Sequence, residues 1–493
     1  MKNNPLSTKT SVAAQQTGHY KRILTVPALI LFGLAYMVPL TVFTTLGYVS
    51  EISEGHVAAS YVVTLSAMLF TALSYATMVR AQPSSGSAYA YVRGSFGAKT
   101  GFLAGWTLML DYILLPMICY LFFGIYMHEY APSVPTAVWI IGSVAVVTVL
   151  NLLGIKLVSR MNLILVGVQL VFIIVFISAS MRTMSGQDIP SPISPFISEG
   201  MPVAGVMAGA AMLCLSFLGF DAVSTLSEEA KNPRRSIPKA IVLCTLIGGG
   251  MFIIISYTAQ MVFPSHTFAN VDAATLEVMN HAGGQSLSAF FTACYCAGLF
   301  ACAMASQASV SRIIYAMGRD GALPKNFFGR LSSRFGTPVN ATLVSGAFGL
   351  TALFIDGDVA TSVISFGALT AFTFVNLTVI KHHIIDRKMR APGDWLRFGL
   401  LPTIGVGLTL WLWTHLSGQT FLVGFAWILV GAVWLAVLTK MFTRPMPTIS
   451  LDEAPACAGP PDAALAEEDR WPPTGPTNIT VEDINVKPPE RLS

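Results

Sequence analysis

Runs of about 20 predominantly apolar residues, each long enough to cross a bilayer as one helix, recur along this chain of 493 residues. Hydrophobic residues make up 54% of the sequence and charged residues 11%, less than half of the roughly 25% that is usual in soluble domains. Inside a bilayer no water satisfies the backbone, so such spans form helices. The sequence therefore predicts an all-α polytopic membrane protein with about 12 helices. The predicted spans are residues 23–49, 57–80, 98–127, 135–153, 158–181, 202–228, 238–263, 284–317, 338–355, 359–381, 397–416 and 419–440.

The loops between the predicted spans alternate between basic and acidic. Arg182 is the single basic residue in the short loops of the acidic side. Because Lys and Arg are enriched in cytoplasmic loops, the alternation places both termini in the cytoplasm. The basic side carries Arg80, Arg93, Lys99, Lys156, Arg160, Lys231, Arg234, Arg235, Lys239, Arg319, Lys325, Arg330 and Arg334, and the acidic side carries Glu51, Glu54, Glu129, Asp272, Glu277, Asp356 and Asp358.

Three regions of different composition follow one another. Residues 1–22 form a polar, basic arm, and residues 23–441 form the transmembrane domain. Residues 442–493 are rich in Pro, Asp and Glu, with few large apolar residues, so we expect a disordered cytoplasmic tail.

The sequence contains no pattern that predicts an enzyme. HExxH and GxSxG are absent. Six of the seven cysteines lie in apolar runs, where we expect them to be packing residues. We expect no metal site, cofactor, nucleic-acid partner or obligate protein partner.

Two predicted spans contain residues that interrupt a helix. The first reads LILFGLAYMVPLTVF, where Gly33 and Pro39 bracket residues 35–38, and the sixth carries Gly219 within SFLGFD. Irregular backbone at membrane depth is tolerated only where it is buried in protein or lines a cavity. Paired interruptions in two halves indicate a transport site between repeats. The alternative is two glycines that let helices pack closely.

Two long phrases resemble signatures of the amino acid–polyamine–organocation superfamily: QPSSGSAYAYVRGSFGAKTGFLAGWTLMLDY and SFLGFDAVSTLSEEAKNPRRSIPKAI. Further phrases resemble bacterial putrescine importers: GLAYMVPLTVF, ISEGHVAASY, LDYILLPMICY, ASQASVSRIIYAMGRDGALP and ISFGALTAFTFVNLTV. The resemblance implies the leucine-transporter fold, with inverted five-helix repeats over about 23–181 and 202–381 and two extra helices over 397–440. It also implies that the first and sixth helices are unwound beside the substrate.

Asp111 and Asp221 are the acids that the sequence places deepest in the predicted spans. Asp111 lies about 12 residues, or roughly 18 Å, into the third span, and Asp221 follows the interruption in the sixth. No Lys or Arg occurs at comparable depth. Because buried carboxylates are costly, we predict contact with a cationic cargo or a coupling proton. Two alternatives are that Asp221 caps a half-helix and that Asp111 is protonated within the bundle.

Aromatic residues flank the two acids in the sequence. Ring faces attract ammonium groups, so we predict that Tyr36, Tyr112, Phe217 and Phe220 bind substrate together with Gly219. Tyr36 and Tyr112 are preferred, because one lies in a break and the other is next to Asp111. The alternative is simple helix packing.

Glu228 and Glu229 lie at the predicted cytoplasmic end of the sixth span, near Arg234 and Arg235. We predict that they form a cytoplasmic gate, with a structural ion pair in the loop as the alternative.

Two further features bear on the cargo. Residues 35–39 are bulkier than the Gly-Ser-Gly-like turn of amino-acid carriers in the superfamily, and Pro39 offers no N–H to a carboxylate. Gln169 stands where some proton-coupled members have a titrating lysine, so a coupling proton would use Asp111 or Asp221.

The resemblance implies a secondary active importer of putrescine or a related cationic amine in the inner membrane, driven by a proton gradient or the membrane potential. The alternatives are an amino-acid symporter or exchanger of the same superfamily and an amine sensor with the same fold.

Overall fold

The computed structural model describes residues 22–186, 191–268, 271, 274–332, 335–355, 357–416 and 418–439, with the backbone alone for residues 129, 130 and 357–362. The predicted tail, residues 442–493, lies outside the described residues, and so does the predicted arm except for Arg22.

Regular structure in the described residues is helical, apart from one isolated parallel bridge between Leu24 and Ala230. The helices are α1 (Val26–Met37), α2 (Val42–Ile52), α3 (Val57–Ala81), α4 (Ser87–Phe96), α5 (Ala98–Tyr130), α6 (Thr136–Leu153), α7 (Ile155–Met184), α8 (Val203–Leu213), α9 (Pro233–Val262), α10 (Ala274–Arg319), α11 (Lys325–Phe328), α12 (Val339–Gly349), α13 (Gly357–Val379), α14 (Pro392–Asp394), α15 (Leu401–Trp413) and α16 (Gly418–Leu438). Short 3₁₀ turns cover Pro39–Thr41, Cys214–Phe217, Ala222–Leu226 and Leu350–Leu353, and π-helical turns cover Ile380–Asp386 and Trp395–Leu400.

The predicted all-α membrane architecture is confirmed. Eleven helical segments in the described residues are long and apolar enough to cross a membrane. The predicted span 338–355 corresponds to a shorter apolar helical segment, Val339–Leu353. The division into two inverted repeats stays a prediction.

Several helices and helix boundaries differ from the prediction. The helix α4 lies in a loop that is too polar to be recognised as a span, and the first turns of α9 begin at Pro233 rather than residue 238. Proline is favoured at the first helical position, where its missing N–H costs nothing. The predicted start at residue 284 marks a kink within α10, because Gly284 has a φ of 70°.

The first span is broken between α1 and α2. Val38 has φ 50° and ψ 94°, and Pro39 starts the 3₁₀ turn that leads into α2. The prediction that Gly33 bounds this break is wrong, because Gly33 lies within α1. A Cβ at Gly33 would lie 2.5 Å from Cys244 Sγ of α9, so this glycine serves close packing.

The sixth span is broken at residues 218–221. The helix α8 tightens into the turn Cys214–Phe217, Leu218 is extended and Gly219 has a φ of 131°, a conformation that favours glycine. The turn Ala222–Leu226 resumes the helical path.

The contacts between helices bring both breaks to the middle of the bundle. The helix α5 packs against α10 and α13, and α3 packs against α9. The helix α1 contacts α7, α9, α10 and the turn Ala222–Leu226. The ends of the two broken spans therefore meet each other beside α5.

Candidate functional site

Asp111 and Asp221 are both buried in the bundle, with relative exposures of 1% and 2%. Asp111 lies on α5, and Asp221 lies at the end of the break in the sixth span. Tyr112, the residue after Asp111, donates a hydrogen bond to Asp221, and the Tyr36 ring lies 5.9 Å from the Tyr112 ring. The two acids that the sequence singles out therefore share one site.

Asp221 is held by two hydrogen-bond donors. The Tyr112 hydroxyl donates to Oδ2 at 2.5 Å, and the Gly219 N–H donates to Oδ1 at 3.2 Å. No capping hydrogen bond joins the Asp221 side chain to the turn Ala222–Leu226. The backbone N–H groups of Asp221 and Ala222 nevertheless lie close to the carboxylate, so it stabilises the break, and capping of the half-helix that follows stays a prediction.

Asp111 has fewer hydrogen-bond partners than Asp221. Its Oδ1 atom has no hydrogen-bond partner among the described residues. A Cβ at Gly367 of α13 would lie 2.8 Å from the Asp111 backbone nitrogen, so only glycine allows α13 to approach α5 this closely. Burial without partners leaves this carboxyl able to accept donors from a bound molecule.

Tyr36 lies in the last turn of α1, two residues before Val38, rather than in the break in which the sequence places it. Its ring centroid is 5.9 Å from that of Tyr112, and its hydroxyl has no partner among the described residues. The Cys302 thiol of α10 donates to its carbonyl oxygen at 3.0 Å. Tyr36 and Tyr112 therefore both belong to the group around the carboxyls.

Gly219 joins the two breaks. A Cβ at this position would lie 2.9 Å from the Tyr36 Cβ atom and 3.0 Å from Met37 Cγ. The glycine is therefore required by its φ and also by the close approach of α1.

Phe217 and Phe220 point in different directions. The Phe217 ring packs edge-on against Phe252 of α9 at 5.3 Å. The Phe220 ring stacks on Phe372 of α13 at 5.3 Å and meets Tyr75 of α3 edge-on at 5.9 Å. Phe220 therefore precedes Asp221 in the chain and contacts Tyr75, whereas Phe217 has the contacts of a packing residue.

Sequence reasoning missed Tyr75. Its side chain is fully buried, its hydroxyl has no hydrogen-bond partner among the described residues, and its ring meets Phe220, the residue before Asp221, at 5.9 Å. Nothing in the surrounding LSYATMVR distinguishes this tyrosine from an ordinary membrane tyrosine.

Gln169 of α7 lies next to the break in the first span. A Cβ at Gly298 would meet Gln169 Oε1 and Val38 Cγ1, each at 2.9 Å. The structure therefore puts this neutral side chain next to Val38, within the helix bundle.

Glu228 forms an ion pair at the end of the bundle that contains residues 82–97, 227–235 and 319–332, here called the basic end. Arg319 Nη1 lies 3.0 Å from Oε2, and Ser85 donates to Oε1 through its hydroxyl at 2.9 Å and its N–H at 3.2 Å. Burial raises the pKa of the Glu228 carboxyl, but Arg319 and Ser85 outweigh it, so the pKa lies below its ordinary value.

Glu229 forms a second ion pair at the basic end. Arg312 Nε lies 2.5 Å from Glu229 Oε1, and both side chains are nearly fully buried. The Glu229 carbonyl accepts the N–H groups of Ile23 and Leu24 at 2.9 and 3.0 Å. The arginine partners of both glutamates therefore lie on α10, and further donors come from Ser85 and from the residues just before α1.

Comparison with known proteins identifies the family. The family model described as amino acid permease matches residues 26–450. The low-affinity putrescine importer PlaP of Escherichia coli (strain K12) is 38% identical over 432 residues, which cover 87% of this chain and 96% of PlaP.

More distant relatives carry other substrates in their names. The branched-chain amino acid permease BcaP of Bacillus subtilis (strain 168) is 26% identical over 438 residues, covering 84% of this chain and 92% of BcaP. The methylthioribose transporter of the same organism is 28% identical over 457 residues, covering 88% of this chain and 96% of that protein. These proteins are transporters and not enzymes, and the chain, a multi-pass membrane protein, belongs to the amino acid permease family within the amino acid–polyamine–organocation superfamily.

Proposed function

We propose that this transporter imports putrescine or a closely related cationic di- or polyamine. The observation that carries the proposal is the pair of buried carboxyls, Asp111 and Asp221. Among the described residues, Arg312 is the only Lys or Arg whose side chain is buried, and it forms an ion pair with Glu229 at the basic end. A diamine brings two ammonium groups to two carboxyls that have no basic side chain beside them. The 38% identity to a putrescine importer supports the same cargo.

The backbone at the first break disfavours a carboxylate cargo. The Val38 N–H donates to Leu34 O at 3.1 Å, Pro39 has no N–H, and the Thr41 N–H donates to Val38 O at 2.8 Å. Carriers that bind an amino acid need free N–H groups at such a helix end. The break therefore fits an amine without a carboxylate better than it fits an amino acid.

The orientation follows from the loop charges. With the basic end in the cytoplasm, both termini are cytoplasmic and the protein lies in the inner membrane. A potential that is negative inside favours entry by about 2.3 kcal/mol per charge per 100 mV, so a dication gains about twice that. Asp111 and Asp221 are the candidates for carrying a coupling proton.

Alternating access requires the two broken spans to move against the remaining helices. Glu228 and Glu229 act as the cytoplasmic gate, because their arginine partners lie on α10 whereas the glutamates follow the sixth span. Release of cargo to the cytoplasm breaks these two ion pairs.

An amino-acid symporter is the second candidate, because relatives named branched-chain amino acid permeases are 26% and 28% identical to this chain.

The decisive experiment is uptake of labelled putrescine into proteoliposomes, with a membrane potential and a pH gradient imposed separately. Cadaverine, spermidine, ornithine and arginine serve as competitors. Asp111→Asn and Asp221→Asn remove charge at the site, and Asp394→Asn is a matched control outside the buried core.

We expect accumulation that diamines block and amino acids do not. Each site variant should lose at least about 100-fold in kcat/KM, since leaving a buried charged group of the cargo unpaired costs 3 kcal/mol or more. The control should behave as wild type. Uptake of ornithine or arginine without putrescine uptake would overturn the proposal in favour of the symporter.

A further inference from the structure

Asp111 Oδ1 and the hydroxyls of Tyr36 and Tyr75 are among the buried polar atoms that have no hydrogen-bond partner in the described residues. Tyr36 is 3% exposed and Tyr75 is 0% exposed. Buried hydroxyls almost always have a partner, because an unsatisfied one is costly. These atoms are therefore available to N–H donors of a bound molecule.

The two tyrosines belong to different carboxyls. The ring of Tyr36 lies 5.9 Å from that of Tyr112, the residue after Asp111. The ring of Tyr75 also meets Phe220, the residue before Asp221, at 5.9 Å. The site thus divides into an Asp111–Tyr36 pair and an Asp221–Tyr75 pair.

We propose that Tyr75 is a specificity-determining residue that binds, together with Asp221, one ammonium group of a two-headed amine, while Asp111 and Tyr36 bind the other. The inference rests on the proposed function and adds a residue of α3 to the site. An ammonium group has three N–H donors and no acceptor, so it needs several oxygens. Asp221 already accepts from Tyr112 and Gly219, and the Tyr75 hydroxyl supplies a further acceptor.

The two pairs make recognition depend on the number of ammonium groups in the amine. A diamine needs both pairs at once, whereas a monoamine of the same chain length needs only one and can use the pair that remains intact. Loss of the Tyr75 hydroxyl therefore weakens diamine binding selectively.

The test compares Tyr75→Phe with Tyr120→Phe in proteoliposomes. Both substitutions remove a buried hydroxyl that has no hydrogen-bond partner among the described residues and keep the ring, but the Tyr120 ring packs against α12, where a Cβ at Gly349 would lie 2.7 Å from it. The measured quantities are the KM for putrescine uptake and the inhibition constant of 1-butylamine.

For Tyr75→Phe we expect the KM for putrescine to rise about tenfold or more, the range for hydrogen bonds to charged groups, with an unchanged inhibition constant for butylamine. Tyr120→Phe should change neither quantity.

Three results would overturn the inference: an unchanged KM in Tyr75→Phe, an equal rise in both quantities, or no inhibition of the wild-type protein by butylamine. Wild-type protein that takes up no putrescine would instead refute the proposed function, and the inference with it.

Discussion

Asp221 is the residue at which charge and backbone geometry depend on each other. Its two donors come from different parts of the chain, the Tyr112 side chain of α5 and the Gly219 N–H of the same break. A buried carboxylate costs less when donors surround it, and these two donors also fix its position. Removing one donor should therefore affect binding without unfolding the helices.

Tyr112→Phe removes only the hydroxyl that donates to Asp221. Hydrogen bonds to charged groups contribute about 1.5–3 kcal/mol, so we expect kcat/KM for putrescine to fall at least about tenfold. The control is Tyr61→Phe, whose buried hydroxyl pairs with Ser216 Oγ at 3.3 Å instead of with a carboxyl. Initial uptake rates in proteoliposomes measure both, and equal losses would contradict a specific role of Tyr112.

The broken spans are the elements that distinguish this bundle from a set of plain helices. Pro39 lacks an N–H and disfavours the helical region for the residue before it, but that preference is for extended backbone with a negative φ and does not account for the φ of 50° at Val38. A positive φ at a β-branched residue costs on the order of 1–3 kcal/mol, so the surrounding packing must hold it in place. Gly219 meets Tyr36 at this point, and the two breaks therefore form one unit.

Gly219→Ala should uncouple this unit. The added Cβ would lie 2.9 Å from the Tyr36 Cβ, and alanine at a φ of 131° is strained. We expect a loss of uptake of about fivefold or more, from a strain of about 1–3 kcal/mol at the site.

The matched control is Gly167→Ala in α7, where a Cβ would meet open space. Uptake and protein abundance in the membrane should equal wild type for this variant, since alanine is favoured over glycine in a helix. Wild-type uptake by Gly219→Ala would show that the close contact of the two breaks is dispensable.

The predicted substrate site is occluded in this structure. No residue of the predicted substrate site is more than 3% exposed. On the basic end we propose that the closure consists of Glu228–Arg319, Glu229–Arg312 and the bridge from Leu24 to Ala230. On the other side of the break, Phe43 meets Phe291 edge-on at 5.3 Å. A transport cycle has to open one of these closures at a time.

The Glu228–Arg319 pair should give stability a defined pH dependence. The lowered pKa of the Glu228 carboxyl means that the folded protein binds a proton at this carboxyl less readily than the unfolded chain does. The stabilisation is therefore fully present above the ordinary glutamate value of 4.5 and is lost as the pH falls through the lowered value. Because the side chains are 25% and 34% exposed, we expect about 1 kcal/mol or less.

Thermal unfolding in detergent measures the stabilisation by the Glu228–Arg319 pair at each pH. Glu228→Gln should lower Tm by at most about 2 °C, by the same amount from pH 8 to pH 6, and the difference should shrink below about pH 4.5. The exposed Glu51→Gln serves as the control. A difference that grows as the pH falls would have the wrong sign for an ion pair.

The sequence alone determined the membrane class, the positions of the spans, the broken first and sixth spans and the two deep acids. These features are local, since length, hydropathy, Gly and Pro act on the backbone within a few residues. Exact boundaries were less predictable, as at Gly33, which looked like a helix breaker and is a packing contact.

Which side chains contact one another depends on the tertiary packing of the helices. Tyr112 and Asp221 are 109 residues apart, and Glu228 and Arg319 are 91 apart, so no local pattern could pair them. The packing of α3, α5 and α10 around the breaks brings Tyr75 to Asp221 and takes Phe217 towards α9. Partner choice depends on which helix faces come together, and that is set by the simultaneous fit of many helices rather than by any one segment.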